Sequence, residues 1–413
     1  MTLMKVLLVN TSETTGGAAI ACSRIMKALR GEGVDASMMV CNAEAGAENV
    51  IPAGGSLRKK WCFLRERAAI WAANGFSRDK VFYVDIANSG IDITATREFR
   101  EADVIHLNWI NQGFISLDVL KKIVASGKPI VWTMHDMWPF TGICHHANDC
   151  TRYTSGCHDC PLLPKRSCTD LAKRTFGRKL EILRNADISF VGCSEWLAGL
   201  CSKSLIAQGH KVVSIPNPID TDVYAPSDKA AVRSKLGLPA DKKLVLFCSV
   251  KTTDVRKGMQ YFQESCRILK ETAASDIEIL ILGKNGDILG STLPLPCHAL
   301  GYVSDGSSLA DFYNSADVFV TPSLQENLPN TIMEAMACGV PCVGFEIGGI
   351  PEMIDHKSNG YVAEYKSAED LARGVRWVLE EADYDALSKN ARSKVLGSYS
   401  EHVVAQRYIS LFK

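Results

Sequence analysis

The residues best placed to do chemistry are two glutamates, Glu326 and Glu334, in the second half of the chain. A short loop and the start of a helical run separate them, and the run ends at Gly339-Val340-Pro341. Apolar runs at 318–320 and 342–345 flank this segment. The pattern predicts strand, loop, helix, turn and strand, with one carboxylate at the start of the loop and the other in the first turns of the helix.

The start of such a helix is a natural position for a phosphate group. Its first backbone N–H groups have no partner within the helix, and they carry a partial positive charge. A carboxylate cannot bind phosphate, but it can accept hydrogen bonds from sugar hydroxyls. Two carboxylates around an anion site therefore indicate a nucleotide sugar, with one acid on the ribose and the other on the donor hexose. The alternative is a plain βα unit with two solvated glutamates.

The segment from Thr321 to Ile354 closely resembles the E-x7-E signature of the retaining glycosyltransferases of family four, which have the GT-B fold. Residues 334–341, Glu-Ala-Met-Ala-Cys-Gly-Val-Pro, match the second half of that signature. The loop differs, because Asn327 and Pro329 stand where glycines are usual, and Pro329 has no N–H. The amides that hold the diphosphate would then be those of Asn330, Thr331 and Ile332.

The resemblance covers nearly the whole chain and implies two doubly wound, Rossmann-like α/β domains facing each other across a cleft. Strand and helix patterns alternate in both halves, as a parallel sheet requires. We expect an N-terminal acceptor-side domain at 1–215 and a C-terminal domain at 216–395 that binds the nucleotide sugar. A helix at 396–413 would pack back on the first domain.

The resemblance also implies roles for individual residues. Glu334 would bind the ribose hydroxyls, and Glu326 would hold the donor sugar. Lys257 matches a lysine of the family that precedes a glycine and balances the diphosphate. The second cation is Arg256 or Lys251, and we favour Arg256. With these cations available, the transfer needs no metal ion or other cofactor.

Two further candidates lie in the first half of the chain. Gly16 and Gly17 open a predicted helix after the first strand, where glycine lets a ligand approach the backbone. Tight packing between strand and helix would explain them equally well. His135 ends a predicted strand and matches a family histidine that contacts the donor sugar. A histidine capped by Asp136 in a turn is the alternative, and His106 is a weaker candidate for the acceptor side.

A cysteine-rich insert follows His135. It carries four cysteines within seventeen residues and closes with a C-x2-C pair. Four thiolates could bind a structural zinc ion in tetrahedral geometry. Reduced cysteines that order a loop, or two disulfides, are the alternatives. The candidate ligands are Cys144, Cys150, Cys157 and Cys160.

The composition limits the partners. Basic and acidic residues number 46 each, so the chain has no bulk charge that would attract nucleic acid. We expect a cytoplasmic protein, because the N-terminus does not resemble a signal peptide. Residues 57–70 combine basic and aromatic side chains at helical spacing. Such a face suits the anionic inner surface of the cytoplasmic membrane, although its aromatics could equally lie in the core.

Together these features predict a retaining glycosyltransferase. It would move a hexose-type sugar from a nucleotide diphosphate sugar to a glycan or polyprenyl-linked acceptor, during assembly of a bacterial exopolysaccharide or lipopolysaccharide. Another GT-B enzyme, such as a nucleotide-sugar epimerase or a phosphorylase, is one alternative. A non-catalytic sugar-binding partner subunit is the other. Release of nucleoside diphosphate only in the presence of an acceptor would separate transfer from the epimerase and the phosphorylase, and donor hydrolysis would test the non-catalytic alternative.

Overall fold

The computed structural model describes residues 3–44, 46–251, 254–274, 276–303 and 305–413, without the side chain of Lys251. It divides into two units. The first comprises Met1–Pro218 and Val404–Lys413, and the second comprises Ile219–Val403. The sequence places the boundary at 215 and starts the returning segment at 396.

The first unit is built on a seven-stranded sheet in which all neighbouring strands are parallel. The strand order is β3-β2-β1-β4-β5-β6-β7. Strands β1 and β4 are sheet neighbours although β2 and β3 come between them in the chain, which makes their junction the topological switch point. The strands are β1 (Lys5–Ser12), β2 (Asp35–Asn42), β3 (Val50–Pro52), β4 (Val104–Leu107), β5 (Ile130–Met134), β6 (Ile188–Gly192) and β7 (Lys211–Ser214).

Helices cover both faces of this sheet, as the near-continuous apolar strands require. Four of them start after a residue whose side chain caps the first turn: Thr96, Ser116, Asp170 and Ser194. The helices are α1 (Gly17–Gly31), α2 (Ser56–Ala73), α3 (Arg97–Glu101), α4 (Leu117–Ala125), α5 (Leu171–Leu183) and α6 (Glu195–Ser202), with 3₁₀ turns at Trp138–Phe140, Arg152–Thr154 and Leu205–Ala207.

The second unit repeats the design with six parallel strands in the order β10-β9-β8-β11-β12-β13. Its switch point lies between β8 and β11. Two apolar clusters fill the space between the sheet and its helices. The strands are β8 (Lys243–Lys251), β9 (Ile277–Lys284), β10 (Cys297–Ala299), β11 (Val318–Thr321), β12 (Cys342–Phe345) and β13 (Gly360–Ala363).

The helices of the second unit come before, between and after these strands. A 3₁₀ turn at Val255–Lys257 follows β8, and a π-helical turn at Trp377–Glu381 extends α13. The helices are α7 (Lys229–Leu236), α8 (Met259–Thr272), α9 (Gly286–Gly290), α10 (Gly306–Ser315), α11 (Asn330–Ala337), α12 (Ile350–Met353), α13 (Ala368–Arg376) and α14 (Tyr384–Ser398).

The last helix, α15 (Glu401–Phe412), returns the chain to the first unit. Val404, Ala405 and Tyr408 are buried in the apolar cluster that also contains residues of β1 and β2. No helix within the described residues is long and apolar enough to cross a membrane.

The predicted α/β class with two doubly wound domains is confirmed. Sequence patterns miss several short elements, such as β3, β13 and α9, because three to five residues carry too little periodicity.

Candidate functional site

In the second unit, the loops that follow the neighbouring strands β8 and β11 carry Lys257 and Glu326. Ligands of doubly wound sheets bind outside the carboxyl ends of the strands at this switch point. The sheet topology therefore brings together two charged side chains that are 69 positions apart in the chain.

The two loops are docked on each other through their backbones. The Leu324 N–H donates to the Arg256 carbonyl at 2.7 Å. Gly258 adopts a left-handed φ of 67°, and a Cβ built on it would lie 1.7 Å from the carbonyl oxygen of Pro322. Only glycine fits such a position, which explains why Lys257 is followed by a glycine.

This docking brings the Lys257 ammonium into an ion pair with the Glu326 carboxylate. The Lys257 Nζ donates to Oε1 of Glu326, and the Ser323 hydroxyl donates to the same oxygen at 3.0 Å. The Lys257 side chain is 34% exposed and that of Glu326 is 13% exposed. The pair is therefore shielded from solvent but still reachable, so an arriving ligand can exchange these contacts for its own.

A glycine pair after β12 holds the Glu326 loop from the other side. The Gly349 N–H donates to the Asn327 carbonyl at 2.8 Å. Gly348 has a φ of 59°, and a Cβ there would lie 1.9 Å from the Glu326 carbonyl oxygen. Sequence reasoning missed these glycines, although two adjacent glycines three and four residues after the end of an apolar strand indicate a close approach of the backbone.

Glu334 lies in α11 and is almost fully buried. The hydroxyl of Tyr313, from α10, donates to its Oε2 at 2.9 Å. Burial, and then the nearby Glu334 charge, raise the pKa of Tyr313 well above its usual value, so the tyrosine remains a proton donor. Sequence reasoning missed Tyr313 as a partner of Glu334, because nothing in the local pattern reveals a contact between two helices.

Helix α11 begins at Asn330 and has no side-chain cap, since Pro329 occupies the cap position. The Ile332 N–H already donates to the Pro329 carbonyl at 3.2 Å, and the Ile332 side chain is fully buried. Of the three amides proposed from the sequence, that of Ile332 thus belongs to the first turn of the helix. A phosphate at this helix start would rest on the amides of Asn330 and Thr331.

Arg256 pairs with a carboxylate of its own loop. Its Nε and Nη2 donate to the two carboxylate oxygens of Asp254 at 3.1 and 2.7 Å. The hydrogen bond from Arg256 holds the pKa of Asp254 below its usual value. The guanidinium would have to exchange this partner in order to balance a diphosphate. The alternative cation, the Lys251 side chain, lies outside the described part of the structure.

In the first unit, polar side chains meet at the carboxyl ends of β1, β4 and β5. Asn10 accepts from the Trp109 N–H at 2.9 Å, and the His135 Nε2 lies 3.1 Å from the Asn108 Oδ1. Burial lowers the pKa of His135 to about 4, so its ring is neutral near pH 7 and offers a hydrogen bond rather than a charge. His106, in contrast, is fully buried and bonded to Thr133, so it does not face an acceptor.

Asp136 organises the turn after His135. Its carboxylate accepts from the indole of Trp109 and from the Trp138 N–H, both at 2.8 Å, and pairs with His145 at 2.7 Å. Burial alone would raise the pKa of Asp136, but the charge and the hydrogen bond of His145 bring it down to about 2. The carboxylate of Asp136 thus ties the cysteine-rich insert to the end of β5.

Gly16 and Gly17 form the exposed turn between β1 and α1. Gly16 has φ 94° and ψ 164°, a conformation essentially reserved for glycine. A Cβ on either residue would meet no atom within 4 Å. The alternative explanation by tight strand–helix packing is therefore wrong, and Gly16 is required by the backbone itself.

The four cysteines of the insert line one cavity of about 240 Å³ in the first unit. Burial raises the pKa of the Cys144 thiol to about 12 and that of Cys157 to about 11, which favours neutral thiols. Among the described residues, no group of three or more His, Cys, Asp or Glu side chains is arranged to hold a metal ion. The fold thus brings Cys144, Cys150, Cys157 and Cys160 to one cavity, and the zinc site at these residues stays a prediction.

Comparison with known proteins identifies relatives of both the sequence and the fold. Residues 242–381 match the family model described as "Glycosyl transferases group 1". The chain is 24% identical over 279 residues to the N-acetyl-alpha-D-glucosaminyl L-malate synthase of Bacillus anthracis, covering 60% of this chain and 72% of that protein.

A second relative is the N,N'-diacetylbacillosaminyl-diphospho-undecaprenol alpha-1,3-N-acetylgalactosaminyltransferase of Campylobacter jejuni. It is 31% identical over 192 residues, which are 46% of this chain and only half of that protein. Among solved structures, the sucrose-phosphate synthase of Thermosynechococcus elongatus superposes with a TM-score of 0.70 at 19% identity, covering 99% of this chain and 98% of that one. This likeness shows the fold, and the predicted GT-B class is confirmed.

Proposed function

We propose that this chain is a group 1 glycosyltransferase, which the family match of residues 242–381 supports, and that it is a retaining, metal-independent enzyme. It moves a hexose-type sugar from a nucleotide diphosphate sugar to a glycan or lipid-linked glycan acceptor in the assembly of a surface polysaccharide. The name of the Campylobacter relative, whose acceptor is a diphospho-undecaprenol, supports the lipid-linked class of acceptor.

The observation that carries this proposal is the Lys257–Glu326 pair at the switch point of the second sheet. Transfer from a nucleotide sugar builds negative charge on the departing phosphate. A preorganised cation in a shielded site lowers the barrier by stabilising that charge as it forms. Once a donor binds, Lys257 turns to the diphosphate, and the freed oxygen of Glu326 accepts hydrogen bonds from the hydroxyls of the sugar.

The surrounding residues complete the donor site. The amides of Asn330 and Thr331, at the positive end of α11, hold phosphate oxygens, and Glu334 accepts from the ribose hydroxyls. Arg256 adds a second cation when it leaves Asp254. The first unit offers two groups to a ligand of its own: the ring of His135 is neutral and can donate a hydrogen bond, and the Gly16–Gly17 turn leaves the backbone open to close approach.

The reaction then needs no separate protein base. The acceptor hydroxyl attacks the anomeric carbon from the face on which the nucleotide leaves, and its proton passes to the departing phosphate oxygen. The bond to that oxygen breaks as the new glycosidic bond forms, so the anomeric configuration is retained. Comparison of the anomeric configuration of donor and product by NMR tests this point directly.

The decisive experiment is substitution of the pair itself. Lys257→Ala and Glu326→Ala should each lower the rate of transfer at least about a hundredfold, the scale for losing one charge-stabilising group. Release of nucleoside diphosphate, with and without acceptor, is the measurement. Lys270→Ala, on the exposed end of α8, is the matched control. Near-normal transfer in both pair variants would overturn the proposed roles.

A further inference from the structure

Helix α2 of the first unit presents an apolar face to solvent. Leu57, Trp61 and Leu64 are 83%, 64% and 60% exposed, and Trp71 continues the same row. Their spacing of four, three and seven residues places all four on one side of the helix. The core therefore does not hold these aromatics, contrary to one interpretation that the sequence allowed.

The opposite face of α2 is the one that packs on the domain. Cys62 and Ile70 are buried there, together with Arg67. The Arg67 guanidinium donates to the Val81 carbonyl at 2.7 Å and to the Asp85 carboxylate at 3.0 Å. Because these buried contacts anchor the helix, its exposed apolar row is a fixed surface rather than a displaced part of the core.

Basic side chains flank the apolar row on both sides. At 3.6 residues per turn, Arg58 and Arg65 lie along one edge of the row and Lys60 lies along the other, all three exposed. The one acidic residue of α2, Glu66, is fully buried on the far side. Because the whole chain has equal numbers of acidic and basic residues, this positive surface is a local feature.

We propose that this face of α2 docks the protein on an anionic membrane surface, with the apolar row inserted among the lipid headgroups and the flanking cations on lipid phosphates. Tryptophans beside basic residues suit this boundary, where an apolar environment meets a charged one. A second copy of the chain fits the same face less well, since two-fold symmetry would set its basic edges against each other.

The exposed surface continues beyond the end of the helix. Phe76, Phe82 and Tyr83 are also exposed, and Phe76 packs edge-on against Trp71 with ring centroids 4.8 Å apart. The residues between them include Arg78 and Lys80, both exposed. The combination of aromatic and basic side chains thus extends from α2 into the following loop. The inference does not depend on the proposed function, because it concerns where the protein lies and not what it transfers.

Flotation of the full-length protein with vesicles tests the docking. The protein should float with vesicles that contain phosphatidylglycerol in phosphatidylcholine and remain unbound with phosphatidylcholine alone. Salt at about 0.5 M, where the Debye length is only a few ångströms, should weaken this binding. The assay contains no donor sugar, so its result is independent of transfer. Equal binding to both vesicle types, or to neither, would contradict the proposal.

Two sets of variants locate the binding surface. The triple variant Leu57→Ser, Trp61→Ser, Leu64→Ser should lower vesicle affinity at least about tenfold. Its matched control carries the same change at three exposed apolar positions elsewhere: Leu3→Ser, Val223→Ser and Leu396→Ser. If the control loses as much binding as the triple variant, the face of α2 is not the docking surface.

The charge variant Arg58→Glu, Arg65→Glu should also lower affinity at least about tenfold, and only for the anionic vesicles. Its control is the double variant Lys270→Glu, Lys389→Glu, which changes the net charge by the same amount at exposed positions of the second unit. This control should bind the anionic vesicles normally. Light scattering tests the remaining alternative, in which a second copy of the chain occupies this face of α2. A dimer that the triple variant converts to a monomer would show that the face joins two copies, which would overturn the membrane assignment.

Discussion

At the scale of single residues, the candidate site depends on partners that the sequence does not reveal. Lys257 and Glu326 stand out by type and spacing, but the ion pair between them forms only when two loops from neighbouring strands dock. Nothing in the sequence around Tyr313 indicates that it contacts Glu334. It reaches Glu334 because α10 packs beside α11, so its role follows from tertiary structure alone.

Tyr313 is a positioning residue, and Tyr313→Phe tests this role. The substitution keeps the buried ring and removes the hydrogen bond that orders the Glu334 carboxylate. We expect the KM for the donor to rise about tenfold, the scale of one hydrogen bond to a charged group, while kcat changes little. Steady-state kinetics with varied donor supply both constants.

The control for this prediction is Tyr399→Phe, also in the second unit, whose hydroxyl lies 3.4 Å from the Glu352 carbonyl. It should leave the donor KM unchanged. A Tyr313→Phe enzyme with a normal KM and a lowered melting temperature would show that the tyrosine is structural only.

At the scale of elements, the site is made by loops that only glycine can bring together. Gly258 and Gly348 each approach a neighbouring carbonyl more closely than any Cβ allows. The sequence shows a lysine followed by a glycine. The carbonyl that excludes a side chain at Gly258, however, belongs to Pro322, which lies 64 positions further along the chain.

Gly258→Ala should therefore separate the two docked loops. The added Cβ collides with the Pro322 carbonyl and needs a left-handed conformation that alanine disfavours by about 1 kcal/mol. Since the loops position Lys257 against Glu326, we expect transfer to fall at least about a hundredfold, as in the direct substitutions.

Gly237→Ala is the matched control for this variant. Gly237 has nearly the same φ, 66° against 67° for Gly258, but a Cβ there meets no atom within 4 Å. It should cost similar backbone strain and leave transfer near normal. Equal loss of activity in both variants would mean that strain, and not the docking of the two loops, is responsible.

Helices and strands whose apolar residues recur at a regular spacing were predictable from sequence. Which apolar face of α2 is exposed to solvent was not. This helix is apolar on two opposite faces, so its pattern does not say which face the core takes. The buried charges of Glu66, Arg67 and Asp85 decide the question, and they lie together only in the folded unit. The hydrogen bond of His135 was likewise not predictable from sequence, because its partner Asn108 follows a different strand, β4.

At the scale of the whole molecule, the first unit is assembled from both ends of the chain. Helix α15 joins an apolar cluster that contains Val6 and Leu8 of β1. The Tyr408 hydroxyl lies 2.8 Å from the Thr133 hydroxyl, which lies 2.8 Å from the ring of His106. This chain of buried hydrogen bonds connects the last helix with β4 and β5.

A substitution near the end of the chain should consequently destabilise the first unit. Tyr408→Ala removes a fully buried aromatic ring and should lower the free energy of unfolding of the first unit by about 3–5 kcal/mol. Tyr408→Phe keeps the ring and should cost only about 1–3 kcal/mol. Tryptophan fluorescence during denaturant unfolding reports mainly this unit, because it contains six of the seven tryptophans.

The control is Arg407→Ala, at an exposed position of the same helix, which should leave the unfolding transition unchanged. Loss of amide protection confined to the second unit in Tyr408→Ala would contradict the assignment of α15 to the first.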